Sequence, residues 1–218
     1  MSELFHIERP ASGRARGLLL LHHGRGSDER DLIGLADVLD PARDLLVVTP
    51  RAPLALPGSP GFHWYLVPRV GYPDPASFEA ARAALAELHD ELWASTGIGP
   101  ERTVLGGFSM GCVVSYALAL SAERPVPAGV LCWSGFLPTV PGWEPDVAGR
   151  PELRALIAHG SRDRVIEVGF GRRAAETLRA GGMTVDYHET GAGHQIDPAV
   201  LPAAAEWLAR TIPAAPVT

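Results

Sequence analysis

The chain has 218 residues, of which 46% are apolar and 20% charged, a composition typical of a globular protein with a sizeable buried core. A net charge of −6 gives no basic surface for nucleic acid or anionic lipid, which favours a small-molecule partner and no stable membrane association. All 19 basic residues are arginines, so a catalytic lysine is excluded. The length predicts a single domain over residues 1–218. No signal-peptide pattern follows Met1, and apolar runs such as Leu18–Leu21 are too short for a membrane span, which predicts a cytoplasmic location.

Apolar runs alternate with helical patterns along the chain. Strands are predicted over Leu18–Leu21, Leu45–Val48, Thr103–Leu105, Gly129–Trp133, Leu156–Ala158 and Met183–His188, with an antiparallel edge strand over Leu4–Glu8. Helices are predicted over Asp31–Leu39, Ser77–Thr96, Gly111–Ser121, Val168–Ala180 and Ala199–Arg210. Continuous apolar strands suit a sheet that is buried on both faces. The alternation therefore predicts an α/β fold whose mostly parallel, doubly wound sheet carries helices on both faces.

Two stretches, Arg51–Pro75 and Phe136–Pro151, are rich in Pro and Gly and are predicted to be long loops. Long loops in a compact domain are usually functional. Four aromatic residues in these loops are predicted to line a shallow substrate pocket: Trp64, Tyr65, Phe136 and Trp143.

The strongest chemical signal is the segment Gly107–Gly111, which has the pattern Gly-x-Ser-x-Gly between a predicted strand and a predicted helix. A sharp turn at this point raises the central side chain above the sheet, and only small residues fit on either side. The turn also places Ser109 at a helix N-terminus, where free N–H groups favour developing negative charge. We therefore predict that Ser109 is a nucleophile.

A serine nucleophile needs a base, and the base needs an acid that orients it. Asp163 and His194 follow two later strands in the order that this arrangement requires, so they are predicted as acid and base. Order alone also permits Asp146 as the acid, whereas Asp197, just before a proline, is expected to cap a helix. Among the other histidines, we expect His188 within a strand, His89 on a surface helix and His159 in a structural position.

The negative charge that forms in acyl transfer needs N–H donors. The residue after the nucleophile, Met110, supplies one, and the loop after the first central strand supplies the other, for which Arg25 is the best-placed residue. That loop lacks the dinucleotide and phosphate-loop patterns, so no nucleotide cofactor is predicted. Adjacent residues on an extended segment point in opposite directions, so His22 and His23 predict no metal site.

These segments resemble the small phospholipase/carboxylesterase family of α/β-hydrolases, which includes the acyl-protein thioesterases. The matching pieces are Leu20–Gly26, Gly107–Gly111, Ser134–Pro138, His159–Gly160 with Asp163, and Gly193–His194. The resemblance implies an α/β-hydrolase fold with little or no cap, no cofactor and a Ser–His–Asp mechanism on carboxylic esters and thioesters. The chain departs from many members at Met110 and Cys112, where those members have Gln and a Gly or Ala.

We therefore expect a serine carboxylesterase that hydrolyses short- to medium-chain carboxylic esters through an acyl-enzyme intermediate. An acyl thioesterase or a lysophospholipase on the same scaffold is the main alternative, followed by another hydrolase such as a peptidase. A dienelactone hydrolase is disfavoured because it would carry cysteine where this chain has Ser109. A catalytically silent binding module is the alternative from a different class, and a homodimer is compatible with the sequence.

Overall fold

The computed structural model describes residues 4–212, and within them lies a seven-stranded sheet accompanied by a two-stranded hairpin. In chain order the strands are β1 (His6–Arg9), β2 (Gly17–His22), β3 (Leu45–Pro50), β4 (Leu54–Ala55), β5 (Phe62–His63), β6 (Thr103–Phe108), β7 (Gly129–Trp133), β8 (Arg154–Gly160) and β9 (Thr184–Thr190). The large sheet has the order β1-β3-β2-β6-β7-β8-β9, and β4 pairs with β5. Every pairing in the large sheet is parallel except β1 with β3, so the predicted antiparallel edge strand is confirmed.

The helices are α1 (Ala36–Leu39), α2 (Pro75–Thr96), α3 (Met110–Ala119), α4 (Val168–Ala180) and α5 (Leu201–Thr211). Sequence signals define α2 well, since Asp74 accepts a hydrogen bond from the N–H of Ser77 and Gly97 ends the helix with φ 67°. The first predicted helix is shorter than expected. Only α1 is α-helical there, and a 3₁₀ turn precedes it, since Gly34 weakens a helix at this point.

The central strands are buried because apolar side chains cover both faces of the sheet. One layer contains side chains of α2, α3 and α4, and the other contains side chains of α1 and α5. This is the doubly wound α/β-hydrolase arrangement that the sequence predicts. Parallel strands place their carboxyl ends along one edge, and ligands bind outside that edge in such folds.

The first long loop of the sequence contains the β4–β5 hairpin and no helix before α2. The prediction of a surface position for His89 is wrong. Its side chain is 1% exposed and stacks on the ring of His22, with the centroids 5.8 Å apart, because this face of α2 packs onto the sheet layer. Within residues 4–212, no helix is both long and apolar enough to cross a membrane.

Candidate active site

Ser109 lies at the carboxyl end of β6, immediately before the first residue of α3. Its backbone has φ 54° and ψ −117°, a strained conformation for a residue with a side chain. A Cβ atom on Gly107 would lie 2.4 Å from the Gly111 carbonyl carbon, and one on Gly111 would lie 1.9 Å from the His22 oxygen. The turn therefore requires glycine on both sides of the serine, as the sequence pattern predicts.

His194 links Ser109 to Asp163. Its Nε2 lies 2.9 Å from the Ser109 Oγ, and its Nδ1 lies 2.7 Å from the Asp163 Oδ2. The Asp163 side chain is fully buried, the His194 side chain is 18% exposed, and Ser109 is 8% exposed. The predicted nucleophile, base and acid are thus hydrogen-bonded in series, with the serine reached by solvent and the carboxylate buried behind the histidine.

The surroundings of Asp163 favour its ionised form. Burial of the carboxyl acts to raise its pKa, but hydrogen bonds from His194 and from the backbone N–H groups of Ile166 and Val165 outweigh burial, so the pKa is lowered. The Oδ1 atom accepts both backbone bonds, at 2.8 Å from Val165 and 2.9 Å from Ile166, which leaves Oδ2 for the histidine. A fixed carboxylate of this kind selects the tautomer of His194 that carries its proton on Nδ1.

The competing residues lie elsewhere. Asp146 accepts the N–H of Gly149, and its own N–H donates to Leu120, just past the C-terminal end of α3. That position is about 15 Å along a ten-residue helix from the end that carries Ser109. Asp197 caps a 3₁₀ turn by accepting the N–H of Ala199, which confirms the predicted cap.

His159 is in a structural position, as the sequence predicts, and it also touches the site. Its Nε2 lies 2.8 Å from the Ile166 carbonyl oxygen, to which it donates, and 3.5 Å from the Asp163 Oδ2. Burial lowers the pKa of His159, so the ring is neutral beside the carboxylate. It therefore holds the backbone segment whose N–H groups bind Asp163.

The loop after β2 presents a free N–H group. The His23 Nδ1 donates to the Gly24 carbonyl oxygen at 2.7 Å, and the His23 Nε2 accepts the N–H of Ala52 at 3.0 Å. In a trans peptide the C=O and N–H point in opposite directions, so fixing the Gly24 oxygen also fixes the Arg25 N–H. Among the described residues, no atom accepts a hydrogen bond from that Arg25 N–H.

Met110 is the first residue of α3, so its N–H has no acceptor within the helix. Arg25, Met110, Ser109 and His194 line one cavity of about 220 Å³. The two predicted oxyanion donors are thus brought to the same cavity as the predicted nucleophile and base.

The wall of this cavity is mostly apolar. Tyr65 and Phe136 belong to it, as predicted, and four aliphatic residues that the sequence did not single out complete it: Val67, Val70, Val165 and Ile166. Val67, Val70 and Val165 are 39% to 58% exposed, so they form an apolar rim at the mouth. No sequence signal marks Val165, because the exposure of an aliphatic residue near Asp163 becomes visible only in the structure.

Two of the predicted pocket aromatics do not line the cavity. Trp64 is fully buried, and its indole N–H donates to the His23 carbonyl oxygen at 2.9 Å. Trp143 is 8% exposed and packs edge-on against Phe78, with the ring centroids 6.0 Å apart. The prediction for these two residues is wrong because their large apolar surfaces are buried in the core under the loops.

No cluster of three or more His, Cys, Asp or Glu side chains suited to a metal ion occurs in residues 4–212. Cys112 and Cys132 are buried free thiols. The rings of His22 and His23 instead both pack against Trp64, at centroid distances of 5.6 and 5.3 Å.

The phospholipase/carboxylesterase family model matches residues 3–212. Among solved structures, the chain is similar to esterase PE8, with 31% identity, a TM-score of 0.80 and coverage of 96% of this chain and 99% of that one. The carboxylesterase of Bacillus cereus has the same fold, with a TM-score of 0.83 at 22% identity, covering 96% of this chain and 95% of that one. Acyl-protein thioesterase 1 homolog 1 of Dictyostelium discoideum is 22% identical over 205 residues, covering 89% of this chain and 90% of that protein. The chain therefore belongs to the phospholipase/carboxylesterase family of serine hydrolases and is a carboxylic ester hydrolase.

Proposed function

We propose that the protein hydrolyses short- to medium-chain carboxylic esters, with Ser109 as nucleophile, His194 as base and Asp163 as the orienting acid. The observation that carries this proposal is the hydrogen-bonded series of 2.9 and 2.7 Å that joins these residues at a strained strand–helix turn. A serine in this setting is activated because the adjacent imidazole can take its proton as it attacks.

In the proposed reaction the Ser109 Oγ attacks the ester carbonyl carbon while the His194 Nε2 takes the hydroxyl proton. The N–H groups of Arg25 and Met110 donate to the oxygen of the tetrahedral intermediate. His194 then returns its proton to the departing alcohol, which leaves an acyl-enzyme. A water molecule, deprotonated by His194, attacks this acyl-enzyme and releases the acid and free Ser109. Asp163 remains ionised throughout and stabilises the imidazolium.

The size and chemistry of the cavity support a short or medium acyl chain. Its volume of about 220 Å³ and its aliphatic rim accommodate an apolar chain of limited length. Each buried methylene contributes about 0.8 kcal/mol, and the contribution ends where the chain leaves the wall for solvent. A simple ester therefore obtains its full binding energy in this cavity, which is the basis for preferring an esterase to a lysophospholipase.

The decisive experiment replaces the proposed nucleophile. Ser109→Ala should retain the fold, lower kcat for 4-nitrophenyl acetate by about 10³-fold or more, and abolish labelling by a fluorophosphonate probe. Ser95→Ala, which removes an exposed hydroxyl near the C-terminal end of α2, is the matched control and should behave as wild type. Near wild-type hydrolysis by folded Ser109→Ala protein would refute the mechanism.

A further inference from the structure

A second cleft adjoins the candidate active site. It has a volume of about 290 Å³ and is lined by Gly71, Tyr72, Leu137, Thr139, Phe170, Arg173, Ala174 and Thr177. It shares walls with the catalytic cavity, since Val70 and Phe136 line that cavity while the residues that follow each of them line the cleft. Phe136 of the catalytic cavity packs against Phe170 of the cleft, with the ring centroids 5.5 Å apart.

The cleft is an ordered feature. Tyr72 donates its N–H to the Arg69 carbonyl oxygen at 3.0 Å, which closes a tight turn with Gly71 at φ 87°. The N–H of Thr139 donates to the Gly71 oxygen at 3.1 Å and joins the two long loops across the cleft. A Cβ on Gly71 would lie 3.4 Å from the Phe170 ring, so the turn packs closely against α4.

Arg173 lines this cleft, and a second cation, Arg69, is stacked on the ring of the lining residue Tyr72. The Arg173 guanidinium carbon lies 4.5 Å from the Phe170 ring centroid, and that of Arg69 lies 3.7 Å from the Tyr72 ring centroid. No carboxylate within the described residues lies within ion-pairing distance of either guanidinium, although many of the chain's other arginines are ion-paired. By contrast, the preceding residue on the same helix, Arg172, is paired with Glu189 at 2.6 Å.

We propose that this cleft binds an anionic group, such as a carboxylate, at the far end of the ester that Ser109 hydrolyses. The inference rests on the proposed function and adds the substrate class: esters that carry a negative charge on the acyl part or on the alcohol part. Guanidinium groups stacked on aromatic rings keep their N–H donors free, and such donors bind carboxylates in paired geometry. Because the whole chain has a net charge of −6, attraction of an anion depends on local cations such as these and not on the overall charge.

The test compares esters that differ only in charge. In the acyl arm, 4-nitrophenyl esters of dicarboxylic acids with four to ten carbons are compared with the same esters carrying a terminal carboxamide. In the alcohol arm, acetate esters of ω-hydroxy acids are compared with acetate esters of the corresponding ω-hydroxy amides. At low salt we expect kcat/KM to favour the carboxylate over the carboxamide by about fivefold to tenfold at one chain length in one of the arms, a preference that weakens in about 0.5 M salt.

In Arg173→Gln the values of kcat/KM for the carboxylate and the carboxamide should be about equal. Arg69→Gln should also weaken the preference, and it provides a second test if one variant folds poorly. Arg172→Gln removes the same charge from the same helix outside the cleft and should keep the wild-type preference. The proposal is overturned if neither arm shows a preference for the carboxylate, if the preference survives in both cleft variants, or if Arg172→Gln abolishes it equally. Hydrolysis of 4-nitrophenyl acetate by wild type, with its loss in Ser109→Ala, tests the proposed function separately.

Discussion

We predict that His22 destabilises the folded protein in acid. It lies at the end of β2 beneath the Ser109 turn, and its side chain is fully buried. The Ser115 hydroxyl donates to the Gly111 carbonyl oxygen at 2.8 Å, so the Ser115 Oγ accepts the His22 Nδ1–H, also at 2.8 Å. The ring is therefore neutral, and its Nε2 is buried. Burial, and then the neighbouring His23, lower the pKa of His22 from 6.5 to about 3.

The sign of the pH effect follows from this lowered pKa. Below pH 6.5 the unfolded chain gains a proton on His22 that the folded protein does not accept. The free energy of unfolding therefore decreases as the pH is lowered, until the pKa of His22 in the folded protein is reached. Between pH 7 and pH 5, this single group removes about 2 kcal/mol from the free energy of unfolding. The figure is nearly unchanged for a folded pKa one unit higher, because pH 5 would still lie above that pKa.

The assay is urea unfolding of wild type and His22→Asn at pH 7 and pH 5. The asparagine amide keeps an N–H donor for Ser115 but cannot be protonated. The variant should be less stable than wild type at pH 7, because ring packing against Trp64 and His89 is lost. Its further loss of stability at pH 5 should be about 2 kcal/mol smaller than that of wild type. His188→Asn, on the edge strand β9, controls for removal of a half-buried imidazole. Equal losses in wild type and His22→Asn would refute the reasoning.

Three further outcomes are expected. Asp163→Asn should keep the fold and lower kcat by about 10⁴-fold, because the amide stabilises the wrong tautomer of His194. Asp146→Asn should change kcat little in the same steady-state assay. The reverse result would make Asp146 the acid. Gly111→Ala should prevent accumulation of folded protein, since its Cβ would lie 1.9 Å from a carbonyl oxygen, whereas Gly34→Ala meets nothing within 4 Å and should fold, as circular dichroism can check. Hydrolysis of 4-nitrophenyl esters from acetate to palmitate should peak at short to medium chains, and rates that rise up to palmitate would indicate a deeper channel.

The order of elements and the hydrogen-bonded series could be predicted because they depend on local sequence signals. The strands are continuous apolar runs such as Gly129–Trp133, and every residue of that strand is buried. The predicted site residues follow the ends of such runs, and parallel strands bring their carboxyl ends to one edge of the sheet. Ser109, Asp163 and His194 each follow a different strand, so their meeting follows from the topology once the sheet is predicted.

The pocket could not be predicted in the same way, because burial of an aromatic residue in a loop depends on tertiary contacts. Trp64 and Tyr65 are adjacent and both inaccessible to solvent, yet only Tyr65 lines the cavity. The difference is set by a distant acceptor, the His23 carbonyl oxygen, to which the Trp64 indole donates. For the same reason the exposed Val165 has no distinctive sequence pattern, and only its place beside the mouth shows its role.

Met110, where many family members have Gln, contributes its side chain to the hydrogen bonds that hold the loops around the site. Its Sδ accepts the backbone N–H of Trp64 at 3.2 Å, a bond that a polar side chain could also accept. The Trp64 indole in turn donates to the His23 oxygen, and the His23 ring fixes the peptide that carries the Arg25 N–H. Three hydrogen bonds therefore connect Met110 to the peptide of the second proposed oxyanion donor, Arg25, and the N–H of Met110 itself is the first proposed donor. A sulfur acceptor is weaker than an amide oxygen, so the geometry of the Arg25 N–H in this chain depends mainly on the two bonds made by the His23 ring.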